Sequence, residues 1–249
     1  MWIASGGPQS ENAKSGPFLN SPIVSEKANS DEYGSGKVFI TNVDGAMEQN
    51  PEKEYIELIA SRSNKQDVNI SGWKLRNSKG EEFVIGRGVK VFYSGVLNEK
   101  NDIILSPGDR VVLSSGESPV GLSFAVNKCS GYLEQFQDFN PGLTKRCPNP
   151  ADDFSSANMN EACKAYLSTL ALCEVYAGER PQGLDSACIN YLNNEINYNS
   201  CVDKHRTDAD FYNKEWRIFL GKQKELWAND GDLIRLYNSE GSLLDSARY

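Results

Sequence analysis

The chain has 249 residues, of which 39% are hydrophobic, and a formal net charge of −8 at pH 7. This length allows one large β domain or two smaller units. Nucleic-acid binding depends mainly on lysine and arginine side chains that neutralise phosphates, and no run of five or more basic residues occurs. The composition therefore argues against a nucleic-acid partner, and an acidic surface also resists adhesion to anionic membranes.

Residues 1–36 have the composition of a flexible tether. They are rich in glycine, serine, proline, asparagine and glutamate and show no apolar periodicity, which is typical of an extended linker. The alternative is that a few apolar residues dock on the edge of the following domain: Phe18, Leu19, Ile23 and Val24. Residues 1–8 lack the basic segment of a secretory signal, and no stretch of the sequence approaches the roughly 20 apolar residues that span a bilayer.

From Lys37 onwards the pattern changes to short apolar runs separated by turn residues, which is typical of a β-sandwich or β-barrel. The runs lie at 38–43, 55–59, 68–76, 82–85, 102–105 and 110–113, and the style returns at 233–237 and 243–246. Within 68–76 the alternation slips at Gly72, where we expect a β-bulge.

Between residues 127 and 215 the alternation disappears and a helical pattern replaces it. Apolar residues at spacings of three and four predict an amphipathic helix over Asn158–Tyr176 and a second over Leu184–Asn197. The glycine- and proline-containing segment 178–183 separates them. A third short helix is expected to begin near Thr207 or Asp208, either of which could cap it.

All six cysteines lie inside this helical segment: Cys129, Cys147, Cys163, Cys173, Cys188 and Cys201. If the first two helices pack as an antiparallel hairpin, Cys173 lies level with Cys188, and Cys163 lies level with Cys201. Cys201 falls beyond the predicted helix end, which weakens the second pair.

The remaining pair, Cys129 with Cys147, would close the preceding loop. The alternatives are reduced thiols in a cytosolic protein, or a zinc site, which prefers closely spaced Cys-x-x-Cys pairs. We favour disulfides because so small an insertion with few large aliphatic residues needs covalent support. Disulfides imply an oxidising compartment, so we expect an extracytoplasmic, cell-surface location and a signal or membrane anchor upstream of Met1.

Four sequence blocks resemble the lamin tail domain, an immunoglobulin-like module of nuclear lamins that also occurs in secreted bacterial proteins. They are Tyr55–Leu58, Ile70–Leu75, Leu105–Leu113 and Leu226–Tyr237, followed by Gly241 and Asp245. The resemblance covers about 37–126 and 216–249, roughly half of the chain. It implies a β-sandwich in two parts, 37–126 and 216–249, interrupted by a cysteine-rich helical insertion at 127–215. Trp73 and Trp227 are the expected core anchors.

The resemblance implies a binding module, often one that accompanies surface or nuclease domains. Two departures limit the comparison. No heptad rod precedes the domain, so a filament role like that of lamins is unsupported. The large cysteine-rich insertion is not part of the eukaryotic module, so partners cannot be transferred from it.

We find no catalytic machinery in the sequence, and we predict no enzyme activity, cofactor or metal. His205 is the only histidine and its neighbours are charged. Glu54 and Glu57 fall on opposite faces of a strand, so they cannot act as an acid–base pair. Asn69-Ile70-Ser71 matches a glycosylation acceptor, but we expect it in a strand. Four aspartates could bind calcium, although helix capping is favoured: Asp152, Asp153, Asp208 and Asp210.

The best candidate for recognition is the segment 130–143, in which Tyr132, Phe136 and Phe139 would lie on a loop closed by a disulfide. Aromatic side chains on such a loop lose little entropy on binding. The alternative is that these three side chains attach the insertion to the sandwich.

The leading functional hypothesis is a non-catalytic extracytoplasmic module that binds a protein or glycan of the cell envelope and touches the membrane only through an anchor outside this sequence. The runner-up is an accessory domain that targets a larger surface hydrolase or nuclease. A third possibility, DNA binding, would need a basic face hidden in an acidic protein.

Overall fold

A computed structural model describes residues 24–25, 37–44, 50–176 and 182–249. The strands are β1 (Val24–Ser25), β2 (Val38–Asp44), β3 (Tyr55–Ala60), β4 (Val68–Asn69), β5 (Lys74–Arg76), β6 (Glu82–Val84), β7 (Ile104–Leu105), β8 (Arg110–Ser114), β9 (Phe124–Asn127), β10 (Tyr212–Phe219), β11 (Leu233–Tyr237) and β12 (Leu243–Arg248). The α-helices are α1 (Glu161–Leu167), α2 (Ser186–Glu195) and α3 (Tyr198–His205). Short 3-10 helices cover Ser130–Gln135, Pro150–Asp152 and Phe154–Asn158.

The strands of the described residues form two five-stranded sheets that enclose one hydrophobic core. Sheet A has the order β1-β12-β11-β5-β6, sheet B has the order β2-β3-β8-β10-β9, and β4 pairs with β7 in a small separate sheet. Neighbours are antiparallel except β8 and β10, which run parallel. Trp73 and Trp227, 6% and 3% exposed, both lie in this core. The predicted mainly-β sandwich is confirmed.

The helical insertion occupies a single connection of sheet B. It leaves the sheet after β9 and returns at β10, and these strands are antiparallel neighbours with Asn127 opposite Tyr212. Both ends of the insertion therefore lie side by side, as the ends of a hairpin loop do. Strand β10 begins at Tyr212, inside the range predicted for the insertion.

The run 68–76 is not one bulged strand as predicted. Gly72 has a φ of +83°, a left-handed conformation that glycine adopts without steric cost, and Trp73 N–H donates to Ile70 O at 3.1 Å. The chain turns at this point. As a result β4 pairs with β7, whereas β5 belongs to sheet A.

Two of the three helix predictions needed correction. Helix α1 ends at Leu167, well before the predicted Tyr176, and the third helix precedes the predicted start at Thr207 or Asp208. The helix starts are set by side-chain caps: Asn160, Asp185 and Asn197 accept from Cys163, Cys188 and Ser200 N–H at 2.8, 2.8 and 2.9 Å. Asparagine and aspartate at this position satisfy N–H groups that the helix itself leaves unpaired.

Part of the predicted tether joins the sandwich. Val24 and Ser25 pair with Arg248 and Ala247 of β12 as an edge strand of sheet A, which is the less favoured of the two interpretations. Phe18, Leu19 and Ile23 lie outside the described residues, as does most of the range 1–36.

A buried carboxyl links the two sheets. Asp245 of β12 is 1% exposed, and its Oδ2 accepts from Ile40 N–H of β2 at 2.8 Å. Burial raises the pKa of this carboxyl, and the hydrogen bond from Ile40 opposes the rise. Strand β2 is in sheet B and β12 is in sheet A, so this hydrogen bond connects the two layers.

We expect Asp245→Ala to lower the free energy of unfolding by about 1–3 kcal/mol, because it leaves the buried Ile40 N–H without an acceptor. Asp245→Asn keeps an acceptor oxygen and should lose less. Because the folded-state pKa is raised, the wild-type carboxyl favours the folded state most at low pH, and this contribution is lost as pH rises through the folded pKa. Urea unfolding between pH about 4 and 7 should therefore show wild type losing stability relative to Asp245→Asn. A constant difference over that range would contradict the assignment.

Candidate functional site

The insertion packs on the outer face of sheet B. Trp216 and Ile218 of β10 lie in the core between the sheets. Because side chains alternate along a strand, Arg217 and Phe219 point the opposite way. On that side a second hydrophobic cluster joins sheet B to the insertion, and its buried members include Phe92, Phe124, Val126, Tyr132, Leu133, Phe139, Leu167, Leu192, Tyr198 and Phe211.

A row of aromatic rings crosses this joint. The ring centroids of Tyr198 and Phe92 are 5.5 Å apart, those of Phe92 and Phe124 are 6.1 Å apart, and those of Phe124 and Phe139 are 6.0 Å apart. Phe139 also lies 6.5 Å from Phe219 of β10. Such pairs add to the stability gained from burial alone. Phe139, a predicted recognition residue, therefore attaches the insertion to the sandwich.

A buried arginine makes the polar part of the joint. Arg217 is 3% exposed, and its guanidinium donates to the carbonyl oxygens of Pro141 and Gly142 and, at 2.6 Å, to Glu215. Glu215 also pairs with Arg110 of β8. Because a buried arginine is stable only when its donors are satisfied, this network fixes the loop around Pro141 on β10.

Three disulfides staple the insertion: Cys129–Cys201, Cys147–Cys173 and Cys163–Cys188. All six cysteines are bonded, but each predicted pair, Cys129–Cys147, Cys163–Cys201 and Cys173–Cys188, is wrong. In the chain-entropy model, loops of these lengths (separations 72, 26 and 25) stabilise a fold by about 3–4 kcal/mol each.

The pairing differs from the prediction because the helices do not form an antiparallel hairpin. Asn160 and Asp185 cap α1 and α2, and the Asn160 Nδ2 amide donates to Asp185 Oδ2 at 2.6 Å. The two helix N-termini therefore meet, which places Cys163 beside Cys188. Cys173 lies beyond the end of α1 in a left-handed conformation (φ 62°) and reaches Cys147 instead.

The loop of residues 93–98 lies beside the insertion and is held by side-chain hydrogen bonds. Asn98 Oδ1 accepts from Tyr93 N–H at 2.8 Å, and Asn98 Nδ2 donates to Tyr93 O at 2.8 Å and to Val96 O at 3.0 Å. Ser94 and Asn199 of α3 exchange two hydrogen bonds, each 2.9 Å long. The loop is thus closed on itself and attached to the insertion.

The tip of this loop is apolar and exposed. Val96 is 62% exposed and Leu97 is 102% exposed, and Phe136 of the insertion is 62% exposed. Phe136 lines a cavity of about 320 Å³ together with Ser94 of the 93–98 loop. We call Val96, Leu97 and Phe136 the apolar rim. All residues that line the cavity are uncharged: Ser94, Tyr132, Leu133, Phe136, Gln137, Val175, Asn197, Tyr198 and Asn199.

The three predicted recognition residues have different environments. Phe136 is exposed, whereas Tyr132 and Phe139 are 5% and 4% exposed. Burial raises the pKa of the Tyr132 phenol to about 12. Sequence reasoning missed Val96 and Leu97, although an aliphatic pair inside the polar segment 94–101 was a usable signal.

Three of the four aspartates considered for calcium binding or helix capping, Asp153, Asp208 and Asp210, form ion pairs. Lys128 Nζ donates to Asp208 at 2.9 Å and also to Asp210, and these hydrogen bonds lower the pKa of both carboxyls. His205 Nδ1 lies 2.9 Å from Asp208 Oδ2. Asp153 pairs with Lys204 at 2.7 Å. Across the described residues, no group of three or more histidine, cysteine, aspartate or glutamate side chains is arranged to hold a metal ion.

Glu54 and Glu57, predicted in one strand, both have structural contacts, and Glu54 lies just before β3. Glu54 is fully buried, and its carboxylate accepts from Leu226 and Trp227 N–H at 2.9 and 3.0 Å. Burial raises its pKa, and the hydrogen bonds oppose the rise. Glu57 pairs with Arg110 at 3.2 Å. The glycosylation-like Asn69 lies at the end of β4, where it accepts from Ser71 N–H at 2.9 Å and donates to Asp102.

The profile of the lamin tail domain family matches residues 32–167, more than half of the chain. The chain belongs to this family. A comparison with curated proteins found no matching relative. The lamin tail domain is a non-catalytic, immunoglobulin-like module, in keeping with the two packed sheets. The match runs into the insertion as far as α1, while β10, β11 and β12 lie beyond it.

Several residues of the sequence blocks that resemble the lamin tail domain stabilise a turn, the contact between the sheets or the core. Gly108 has a φ of +88° in a turn closed by Asp109 N–H donating to Ser106 O at 2.9 Å, as a type II turn requires. Asp245 joins the two sheets, and Trp227 packs edge-on against Phe83 with centroids 5.5 Å apart. In the part of the chain that the structure describes, no helix is long and apolar enough to cross a membrane.

Gly131 allows close packing beside a disulfide. A Cβ at this position would overlap Cys173 Sγ and lie 2.9 Å from Lys145 Cα. We expect Gly131→Ala to lower the free energy of unfolding by about 1–3 kcal/mol, because the Cys147–Cys173 disulfide and the backbone at Lys145 must move. Gly86→Ala is the matched control, since a Cβ there meets nothing within 4 Å. Thermal unfolding under non-reducing conditions measures both, and equal effects would contradict the close approach.

Proposed function

We propose that this lamin tail domain is a non-catalytic binding module that acts outside the cytosol and docks onto a protein of the cell envelope through the apolar rim. One observation carries the proposal. Val96, Leu97 and Phe136 are largely exposed, although the segments that hold them are fixed by hydrogen bonds and disulfides. Contiguous exposed apolar patches mark interaction sites, and Ser94, two residues before Val96, lines the same cavity as Phe136.

The rigidity of the rim favours binding energetically. A partner that covers these side chains gains about 1.5–3 kcal/mol for each large apolar side chain it fully buries. Little of this gain is lost to ordering, because the loop is already closed by Asn98 and attached to Asn199. The uncharged cavity beside the rim can accept an apolar side chain of the partner.

The chemistry of the rim favours a protein over a glycan at this surface. Aliphatic side chains offer no hydrogen-bonding atoms to sugar hydroxyl groups. Interfaces between proteins, in contrast, concentrate apolar and aromatic contacts at their centre and have few charged groups there.

The disulfides support a location outside the cytosol. Three disulfides connect segments that are otherwise short helices and turns, and such bonds persist in oxidising compartments. We infer that the domain is displayed at the cell surface through an anchor outside this sequence.

A second role is compatible with the same surface. The rim could direct a larger surface hydrolase or nuclease to its target, with this chain as the accessory domain. The complete reading frame distinguishes the two roles, because only the second requires a catalytic domain in the same polypeptide.

The compartment is tested by counting thiols. Protein purified from its native source with an alkylating agent present throughout should contain no free thiol. Proteolytic fragments should be linked as Cys129–Cys201, Cys147–Cys173 and Cys163–Cys188. Six alkylated cysteines would contradict the extracytoplasmic location, whereas other linkages would contradict only the pairing.

The docking surface is tested with polar substitutions in the rim. Biotinylated wild type should bind envelope fractions, and the double variant Val96→Ser/Leu97→Ser and the single variant Phe136→Ser should each bind about tenfold more weakly or worse. Because these side chains are exposed, the thermal midpoint should change little. Val84→Thr is the matched control, since Val84 is 53% exposed on sheet A, away from the insertion.

Two outcomes would overturn the docking proposal. One is unchanged binding of both rim variants. The other is binding that survives protease treatment of the envelope fraction, because the partner would then not be a protein.

A further inference from the structure

A second concave surface lies between β7 and the β9–β10 pair. Its volume is about 500 Å³, which is within the range of small-molecule sites. Two of the exposed apolar side chains of the domain, Ile104 (41%) and Tyr212 (39%), line it, and the nearly buried Trp216 also contributes. We call this surface the β10 groove. The charged residues of its lining are Lys90, Lys214, Asp102, Asp109 and Glu215.

The backbone is strained at the edge of the β10 groove. Lys214 has a φ of +53°, a conformation that is unfavourable for residues other than glycine, asparagine and aspartate. The β9–β10 pairing is irregular between Tyr212 and Trp216, on either side of it. Strain of this kind persists where the surrounding structure imposes it and is frequent at ligand-binding sites. Here it places an exposed lysine side chain in the groove.

Two lysine ammonium groups in the groove have little opposite charge beside them, because two of the three carboxylates that line it already pair with arginines. Asp102 already accepts from Arg87 and Asn69, each at 2.9 Å. Glu215 is held by Arg110 and Arg217, as described above. These two carboxylates are thus neutralised by arginines.

The other Lys, Asp and Glu residues of the lining are Lys90, Lys214 and Asp109. Asp109 accepts from Ser106 N–H at 2.8 Å. Burial raises the pKa of its carboxyl, the hydrogen bond from Ser106 and then the charge of Lys214 oppose the rise, and nearby Asp67 adds to it. Lys90 Nζ lies 5.3 Å from the centre of the Tyr212 ring, within cation–π range. The groove therefore presents two ammonium groups against one carboxyl, in a protein whose net charge is −8.

We infer that the β10 groove binds an acidic saccharide, a sugar that carries a carboxylate. The exposed part of the Tyr212 ring, 39% of the residue, offers apolar surface to the C–H groups of a sugar beside Lys90, which lies over the ring. Lys90 and Lys214 supply charge-assisted hydrogen bonds to its carboxylate, and the side chains of Asn101 and Ser106 can exchange hydrogen bonds with hydroxyl groups. This surface is separate from the apolar rim, so the inference does not depend on the protein-docking proposal.

The test uses defined oligosaccharides and the intact domain. The probes are a tetrasaccharide of alternating glucuronate and N-acetylglucosamine, a sialic-acid-terminated trisaccharide, and the carboxyl-reduced form of each. Isothermal titration should show binding of at least one acidic probe and about tenfold or weaker binding of its reduced form. Affinity should also fall as salt increases, because exposed charge pairs are screened.

Substitutions in the groove test whether the saccharide binds there. We expect Lys90→Gln/Lys214→Gln to weaken binding of the acidic probe about tenfold or more. Tyr212→Ala should weaken the acidic and the reduced probe by a similar factor, since it removes the stacking surface for both. Lys79→Gln, an exposed lysine of the turn between β5 and β6, is the matched control and should bind like wild type. Near-ultraviolet circular dichroism checks that each variant is folded, and Tyr212→Phe, which keeps the ring, should retain binding.

Three results would overturn the inference. They are no binding of either acidic probe at millimolar concentration, equal binding of acidic and reduced probes, and unchanged binding by the double lysine variant. An acidic peptide of glutamate residues serves as a further comparison. If it binds more tightly than both saccharides, the groove recognises protein and the saccharide assignment is wrong.

Discussion

The architecture depends on the C-terminal half of β10, which is buried on both faces. In β10, Trp216 and Ile218 belong to the core between the sheets, while Arg217 is buried on the other side against the insertion. If solvent replaced the layer on either side of this half of the strand, apolar surface or an unpaired guanidinium would be exposed. The insertion is therefore a third layer of the fold, and its position follows from its place in the β9–β10 connection.

That third layer has little regular structure of its own, and covalent bonds compensate for this. Its α-helices have only 7, 10 and 8 residues, lengths at which isolated helices are marginal in water. Three disulfides and the Arg217 network hold these pieces against sheet B. Hydrogen bonds from Asn98 and Asn199 hold the loop that carries Val96 and Leu97, and Phe136 directly follows the first 3-10 helix of the insertion.

The sequence predicted the sandwich well because its signals are local. Alternating runs such as Tyr55–Ala60 and the turn at Gly108 depend on neighbours in the chain. The disulfide pairing failed because it required the relative orientation of α1 and α2. Their N-termini meet through Asn160 and Asp185, a contact between residues distant in sequence that no periodicity encodes. The structure separates the three predicted recognition residues by burial: Phe136 is exposed, whereas Phe139 packs on Phe219. Hydrophobicity alone does not distinguish an exposed aromatic side chain from a core one.

The sequence by itself determined a domain of short β-strands and a cysteine-rich helical segment, because composition and spacing along the chain suffice for these. The resemblance to the lamin tail domain added the immunoglobulin-like sandwich, in which Trp73 and Trp227 were the expected core anchors. Only the tertiary structure decided which cysteines bond, which aromatic side chains are buried, and that Val96 and Leu97 stand exposed on a clamped loop. The physical reason is that burial and pairing are properties of three-dimensional neighbours. A side chain joins the core or the surface according to what the rest of the chain places beside it.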